Sequence, residues 1–400
     1  MNFQVAGVPL EFILFAITLT AIAVWHRHSL SIALAGFASL VVFKLLATGF
    51  EQAHGWRGFT AHMAEEWVVL ANLFLLLMGF ALLARYFSAS RIPDKLPRYL
   101  PGDWRGGVML LAIVFVLSSF LDNIAAAIIG GTMAASVYRG RVYVGYLAAI
   151  VAAANAGGAG SVIGDTTSTM MWIEGVPASR ILEAYVAAGA AFLVFAVPAA
   201  LGQQRHAPLQ EYSRSEVAID WTSAGIVLAM LLAALLTNLT VNLAFPHHAD
   251  RFPFLGAALW IAVLVASRWR RPAWEALPQA ARGSIFLLTL VASASVLPVD
   301  RLPAVTWLST FVLGVVSAVF DNIPLTKLAL EQGGYDWGFL AYAVGFGGSM
   351  LWFGSSAGVA LANDFPEARS VGAWLRHGWF VPLAYVVGFV VMLRVLGWHP

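Results

Sequence analysis

The sequence contains no cysteine and few charged residues, and both shortages restrict what the protein is. Without cysteine, disulfide bonds, thiolate metal sites and cysteine nucleophiles are excluded. Charged residues make up only 11% of the 400 residues, whereas soluble domains contain about 25%. Hydrophobic residues make up 60%. No soluble fold hides that much apolar surface, so most of the chain is predicted to lie in lipid.

Several functional signatures are also missing. The net charge of +2 comes without a clustered basic surface, so no nucleic-acid partner is expected. There is no P-loop for ATP and no spacing of two histidines with a carboxylate, so we expect neither an enzyme nor a cofactor. The first basic residue is Arg27, and a cleaved signal peptide is therefore not expected.

Apolar runs long enough to span a bilayer, about 20 residues each, recur along the chain. They fall at 9–25, 29–48, 67–84, 142–173, 180–201, 221–245, 253–267, 283–298, 338–361 and 377–397. The sequence therefore predicts an all-α polytopic membrane protein with about ten transmembrane helices. Arginine and lysine concentrate in the loops 85–105 and 268–282, which are predicted to be cytoplasmic.

Two longer apolar stretches have an Asp-Asn pair in the middle: Asp122-Asn123 within 106–137 and Asp321-Asn322 within 304–333. Basic residues flank the first stretch at both ends, which places both ends in the cytoplasm. Each arm of about 15 residues reaches the middle of the bilayer as a helix but does not cross it. We predict two re-entrant helical hairpins, with two full spans joined by short turns as the alternative for each.

The two halves of the chain are related in sequence. Ser118-Ser-Phe-Leu-Asp-Asn-Ile matches Ser317-Ala-Val-Phe-Asp-Asn-Ile. Further along, the pair Gly157-Gly158 is followed after five residues by Gly164, and the pair Gly347-Gly348 is followed after five residues by Gly354. The loop charges place the starts of the halves on opposite sides of the membrane. We therefore predict an inverted-repeat transporter fold. Its parts are a first repeat 1–201 with broken helix 142–173, a cytoplasmic linker 202–220, and a second repeat 221–400 with broken helix 338–361.

Only three acidic residues lie deep in apolar surroundings: Asp122, Asp165 and Asp321. A charge at the bilayer centre costs at least about 2.5 kcal/mol, so each carboxylate requires a compensating role. An Asp-Asn pair is also a good helix cap, which is the structural alternative, but its recurrence in both halves favours function. The two roles are compatible.

Oxygen-bearing side chains cluster around these acids in the sequence. The polar run from Asp165 to Thr169 interrupts an apolar span, although a surface loop is the alternative interpretation. Oxygen-only ligands favour hard cations such as Na⁺. The candidate ion-binding residues are Asp122, Asn123, Asn155, Asp165, Thr166, Thr167, Ser168, Ser317, Asp321, Asn322, Ser355 and Ser356.

Two lysines lie within apolar stretches. Lys327 follows Asp321 in the second hairpin and is predicted either to be an internal counter-charge for Asp321 or Asp165, or to snorkel outward. Lys44, near the end of its span, is predicted to snorkel.

Four motifs give the sequence a family resemblance: FLDN (120–123), NAGGAGSVIGDTTSTMMWI (155–173), SAVFDNIP (317–324) and GFGGSMLWFGSSAGVALA (345–362). At these motifs the sequence resembles the NhaD-type sodium/proton antiporters of the ion-transporter superfamily. The resemblance implies an inverted-repeat fold with two re-entrant hairpins and two broken helices, and a homodimer with a mobile transport part. It implies a Na⁺ site at Asp122, Asn155, Asp165, Thr167 and Ser168, with Ser317, Asn322 and Ser355 or Ser356 from the second half. Lys327 departs from the family pattern.

The expected function is exchange of cytoplasmic Na⁺ or Li⁺ for external H⁺, with Na⁺ and protons competing for Asp122 and Asp165. The expected location is the plasma membrane of a bacterium. A Na⁺-coupled carrier of a di- or tricarboxylate is the alternative, because serines and helix N-termini suit carboxylates. A membrane receptor or scaffold that transports nothing is a third class, and it would not require buried acids.

Overall fold

A computed structural model describes residues 4–5, 8–25, 28–50, 53–95, 99–209, 218–245, 251–320 and 322–400. Asp321 and residues 210–217 of the predicted linker lie outside this part of the chain. The described residues are mainly helical, as expected where lipid offers the backbone no hydrogen-bond partners. Two short antiparallel strands, β1 (Gln4–Val5) and β2 (Val8–Pro9), precede the first helix and pair Val5 with Val8.

The described residues of the first half form ten helices. They are α1 (Leu10–Val24), α2 (Ser29–Phe43, continued by a π-helical turn Lys44–Thr48), α3 (Gly55–Ala89), α4 (Ile92–Lys95), α5 (Trp104–Ser118), α6 (Asn123–Val137), α7 (Val144–Ala159), α8 (Thr166–Ile173), α9 (Ala178–Leu182) and α10 (Ala184–His206). The stretch 106–137 is thus divided between α5 and α6, with the break directly before Asn123.

The second half contains nine helices in its described residues. They are α11 (Trp221–Ala244), α12 (Phe254–Ala266), α13 (Leu277–Ser295), α14 (Trp307–Ser317), α15 (Asn322–Gln332), α16 (Trp337–Gly347), α17 (Ser356–Asp364), α18 (Val371–His377) and α19 (Phe380–Val395). Short 3₁₀ turns lie at Trp274–Ala276, Val299–Arg301, Gly348–Met350 and Pro366–Arg369.

The described part of the chain contains helices with the length and apolar composition of membrane spans. Four helical stretches are long and apolar enough to cross a membrane: Ser29–Thr48, Gly55–Ala89, Ala178–His206 and Trp274–Ser295. A fifth consists of α18 and α19, which are bent by 59° relative to one another. Shorter apolar helices occupy most of the other predicted spans. The chain is therefore an integral membrane protein, while the total of ten spans and the re-entrant placement of the hairpins stay predictions.

The chain forms two compact units. The first unit contains Met1–Leu82, Leu228–Ala304 and Ile323–Gly333, and within it α2 packs against α1 and α13. The second unit contains Leu83–Val227, Val305–Asn322 and Gly334–Pro400. Each unit draws on both halves of the chain, so the predicted repeat boundaries do not coincide with these compact units. The repeats stay a prediction about chain symmetry.

Helix α7 is the centre of the second unit. Every residue from Gly145 to Ala159 is buried, and α5, α6, α10 and α16 pack against it. Alanine and glycine dominate this helix, and such small residues allow neighbouring backbones to approach closely. Apart from Tyr146, Asn155 is the single polar side chain in this alanine- and glycine-rich helix. A buried amide requires hydrogen-bond partners, and these come from neighbouring helices.

Candidate functional site

Three helices of the second unit, α6, α8 and α17, begin at polar residues that were predicted as site residues. Asp122 caps α6 and accepts a hydrogen bond from the Ile124 backbone N–H at 3.2 Å. Asp165 precedes α8 with an extended backbone. Ser355 precedes α17 with the same backbone shape and accepts from the Gly358 N–H at 3.3 Å. The first turn of a helix has unpaired N–H groups and a partial positive charge, so these ends favour oxygen atoms.

A network of side-chain hydrogen bonds joins these helix ends. The Asn123 amide donates to Asp165 Oδ1 at 2.9 Å and to Asn155 Oδ1 at 3.1 Å. The Asn155 amide donates to Ser349 Oγ and to Ser355 Oγ, both at 3.0 Å. We call this network the Asn–Asp cluster; its members are Asn123, Asn155, Asp165, Thr167, Ser349 and Ser355.

The Asn–Asp cluster is buried and contains one ionisable group. Each of its side chains belongs to a residue at most 5% exposed, and the carboxylate is that of Asp165. Thr167 Oγ1 donates to Asp165 Oδ2, so Asn123 and Thr167 together direct neutral donors at both carboxylate oxygens. A carboxylate buried among neutral groups is stable only when a proton or a cation neutralises it.

Backbone packing holds Asp165 in place. A Cβ atom at Gly158 would lie 2.7 Å from the Gly164 carbonyl oxygen and 3.0 Å from Asp165 Cβ. Only glycine permits this approach, because real Cβ atoms do not come that close to a backbone oxygen. The glycine pair near the end of α7 thus brings the break between α7 and α8 back against the helix.

The structure brings together five of the predicted site residues: Asn123, Asn155, Asp165, Thr167 and Ser355. Asp122 begins the same helix as Asn123 but is half-buried and caps the helix. Thr166 is buried in the first turn of α8, and Ser356 is the first residue of α17.

Three more predicted residues are buried elsewhere in the second unit. Ser168 donates its hydroxyl to the Ala159 carbonyl at 2.9 Å, and Ser317 donates to the Val344 carbonyl at 2.8 Å. Asn322 is buried at the start of α15. The third predicted acid, Asp321, lies outside the described residues. Site membership of all these residues stays a prediction.

Ser349 was not among the predicted site residues. Its hydroxyl is fully buried and accepts from the Asn155 amide. The signal was present, since Ser349 directly follows the glycine pair of the second broken helix, inside a motif already recognised as matched between the halves.

Both lysines have partners that the sequence analysis did not propose. In the first unit, Lys327 Nζ lies 3.0 Å from Glu66 Oε2 and 2.7 Å from Glu331 Oε1, and the side chain is 2% exposed. Of its two predicted roles, a buried counter-charge agrees with this geometry, although its partners among the described residues are glutamates. The snorkelling predicted for Lys44 is wrong. Its ammonium is buried and donates to the Val296 carbonyl at 2.6 Å, since the π-helical turn directs it inward.

The first unit contains a polar cavity of about 300 Å³ beside these lysines. Lys44, His62, Glu65, Glu66 and Glu331 are among its lining residues. His62 Nε2 lies 2.9 Å from Ser295 Oγ. This cavity was not predicted, because Glu65 and Glu66 precede the apolar run 67–84 and read as loop residues in the sequence.

Comparison with known proteins gives relatives named for cation exchange. The chain is 27% identical to sodium/proton antiporter 1 of Arabidopsis thaliana over 337 residues, 72% of this chain and 55% of that protein. It is 30% identical to sodium/proton antiporter 2 of the same plant over 283 residues, 61% of this chain and 66% of that protein. The chain thus spans 55% to 66% of the length of these relatives.

The predicted resemblance to NhaD is confirmed over a shorter region. The chain is 34% identical over 94 residues to the Na(+)/H(+) antiporter NhaD of Alkalimonas amylolytica, 22% of this chain and 19% of that protein. One family model covers far more of the sequence: the CitMHS model, described as a citrate transporter, matches residues 8–347. The chain therefore belongs to the CitMHS family.

Proposed function

We propose that this protein is a secondary transporter that exchanges cytoplasmic Na⁺ or Li⁺ for external H⁺, and that the cation binds in the Asn–Asp cluster. One observation carries the proposal: the Asp165 carboxylate is 2% exposed and is surrounded by amide and hydroxyl groups. The oxygens of Asn155, Thr167, Ser349 and Ser355 are hard ligands of the kind that alkali cations accept. The names of the relatives support the same substrate ions.

The mechanism follows from the single charge of the Asn–Asp cluster. A proton on Asp165 neutralises the carboxylate and removes the attraction for Na⁺. Bound Na⁺ stabilises the ionised form and disfavours the proton. The two ions therefore compete for one carboxylate, and half-buried Asp122 at the start of α6 is the second proton acceptor.

Paired contacts support an inverted-repeat architecture. The Ser118 hydroxyl donates to the Ala154 carbonyl at 2.5 Å, and the Ser317 hydroxyl donates to the Val344 carbonyl at 2.8 Å. In each half the accepting residue lies three positions before the glycine pair. A Cβ atom added at Gly348 would lie 2.7 Å from the Gly354 carbonyl oxygen, which is the same distance as that between a Cβ atom added at Gly158 and the Gly164 carbonyl oxygen. These equivalences fit two re-entrant hairpins and two broken helices that support alternating access.

The proposed symmetry is broken at the cation ligands. By position, Asp165 corresponds to Ser355 and Asn155 corresponds to Gly345. Among the described residues of the Asn–Asp cluster, the carboxylate and the bridging amide therefore come from the first half, and we propose one Na⁺ per chain. A homodimer in a bacterial plasma membrane is part of this proposal and rests on the resemblance.

Citrate is the second candidate substrate, because the family description names it. The Asn–Asp cluster disfavours it. Its members include one carboxylate and no basic side chain, so a tricarboxylate would meet a like charge. Serine hydroxyls and helix N-termini would remain as its only favourable contacts.

Reconstituted liposomes that contain a pH-sensitive dye test the proposal. A pH gradient is imposed, and NaCl, LiCl, KCl and sodium citrate are added in turn. We expect Na⁺ and Li⁺ salts to dissipate the gradient whatever the anion, and K⁺ to have no effect. Sodium-dependent uptake of labelled citrate without a response to NaCl would instead establish the carboxylate carrier.

The matched variants are Asp165→Asn and Asp103→Asn. Asp103 is an exposed N-cap of α5, and asparagine caps helices equally well, so this control should transport normally. Asp165→Asn should abolish exchange, because the amide can neither bind a proton nor neutralise Na⁺. Full proton-coupled Na⁺ transport by Asp165→Asn would show that Asp165 does not have the proposed role.

A further inference from the structure

We propose that the second unit carries a Zn²⁺ site formed by Glu183, Asp336 and His399. Their ligand atoms all lie within 4.8 Å of one another. Glu183 lies between α9 and α10, Asp336 caps α16, and His399 follows α19. The three residues come from distant parts of the sequence, and the site is separate from the Asn–Asp cluster.

Asp336 is fixed in position. Its side chain is fully buried, and its carboxylate accepts from the Phe339 N–H at 3.4 Å and from the His399 N–H at 3.0 Å. The carboxylate therefore caps one helix and holds the backbone of the residue that supplies the imidazole. A metal ligand held in this way loses little freedom when the ion binds.

The contacts of His399 Nδ1 cannot all be satisfied by protons. Asp336 Oδ2, a hydrogen-bond acceptor, lies 3.0 Å from this nitrogen, so the nitrogen would have to donate. Arg180 Nη1, which can only donate, lies 2.8 Å from the same nitrogen, so the nitrogen would have to accept. A metal ion that displaces Arg180 resolves the conflict, because Nδ1 and Oδ2 both become ligands.

Glu183 supplies an independent indication of a missing cation. Its Oε2 atom is shielded from solvent and has no hydrogen-bond partner among the described residues. Its Oε1 atom lies 3.7 Å from Arg180 Nη1, so the guanidinium is the positive charge now placed against Glu183 and His399. The Arg180 side chain is 42% exposed and can move into solvent without losing a buried position.

The ligand set favours zinc over the common hard cations. One imidazole nitrogen and two carboxylate oxygens, with a fourth position open for water, are typical Zn²⁺ ligands. Metal–ligand bonds of about 2.0–2.1 Å place tetrahedral ligands roughly 3.3–3.4 Å apart, so Nδ1 and Oδ2, which lie 3.0 Å apart, need to separate only slightly to bind one ion. Mg²⁺ and Ca²⁺ prefer oxygen ligands alone.

The experiment is a Zn²⁺ titration of the purified full chain without a histidine tag, against a competing fluorescent chelator. We expect saturable binding of one ion. His399→Gln and Glu183→Gln should each weaken it at least tenfold, whereas Arg180→Gln should tighten it several-fold by removing the competing cation. His206→Gln changes an exposed histidine elsewhere and should leave binding unchanged.

Two outcomes would overturn the site: absence of stoichiometric Zn²⁺ binding by the wild type, or unchanged binding by His399→Gln. Asp336 is left intact because its loss would also remove the cap of α16. Thermal unfolding of each variant without metal checks folding, and Zn²⁺ should raise the Tm of the wild type but not of His399→Gln. Binding is measured without transport, so failure of the proposed exchange activity would leave this result unaffected.

Discussion

The Asn155 amide lies 3.0 Å from the hydroxyl oxygen of Ser355, 200 residues away in the sequence. This bond connects α7 with the start of α17. The same asparagine accepts from Asn123 at the start of α6. The amide group of Asn155 therefore links α7 with the starts of α6 and α17.

Asn155→Ala should raise the Na⁺ concentration for half-maximal exchange by tenfold or more. The substitution removes a ligand oxygen and leaves buried partners unsatisfied, which also destabilises the fold by about 1–3 kcal/mol. Asn72→Ala is the control. Asn72 is equally buried and accepts from the Gly256 N–H at 3.1 Å in the first unit. Asn72→Ala should lose a similar amount of stability while its Na⁺ dependence stays unchanged. Equal increases in the Na⁺ concentration for half-maximal exchange in both variants would contradict a direct role for Asn155.

Gly158→Ala should abolish exchange. The added methyl group would meet the Gly164 carbonyl and Asp165 Cβ, so the break before α8 must move and carry the carboxylate with it. Such overpacking costs about 1–3 kcal/mol. Gly189→Ala, within α10, meets nothing within 4 Å and should be neutral or slightly stabilising. Dye-based exchange and thermal unfolding measure both variants, and normal transport by Gly158→Ala would argue against tight placement of Asp165.

Glu66→Gln should destabilise the first unit, because it removes one of the two carboxylates that lie within 3.0 Å of the buried Lys327 ammonium. Breaking a buried ion pair typically costs about 3–5 kcal/mol. Lys327→Met combined with Glu66→Gln should recover part of the loss, since the charge that lacked compensation is gone. Arg105→Met, in an exposed pair with Asp103, should have no measurable effect.

A double-mutant cycle measured by thermal unfolding in detergent provides the test. Additive losses for Lys327→Met and Glu66→Gln would mean that the two side chains do not stabilise one another in the folded protein.

Much of the architecture was predictable because it depends on local chemistry. Apolar runs became helices, since a backbone in lipid must satisfy its own hydrogen bonds. The Asp-Asn pair at 122–123 and the glycines before Asp165 lie where helices are interrupted, because capping residues and glycine act over a few neighbouring positions. In the polar run after Asp165, Ser168 and Thr169 donate to nearby backbone carbonyls, and a ligand role for Ser168 stays a prediction.

The partners of individual side chains were less predictable. The predicted partners of Lys327 were Asp321 and Asp165, two of the acids expected to lie deep in apolar surroundings. The structure pairs it with Glu331 one helical turn away, and with Glu66, 261 residues distant. Lys44 was misassigned because helix position alone does not reveal which way a side chain points when a π-helical turn intervenes.

The sequence by itself determined that this chain lies in lipid, where its helices break and which oxygen-bearing side chains those breaks expose. Each of these depends on composition or on contacts between near neighbours. Only the tertiary structure decided that Asn155 joins Ser349 and Ser355, that Lys327 meets Glu66, and that Glu183, Asp336 and His399 converge. Such pairings depend on how helices that are distant in sequence pack together. That packing is determined by the shapes of whole helix faces, which the order of residues along the chain does not reveal directly.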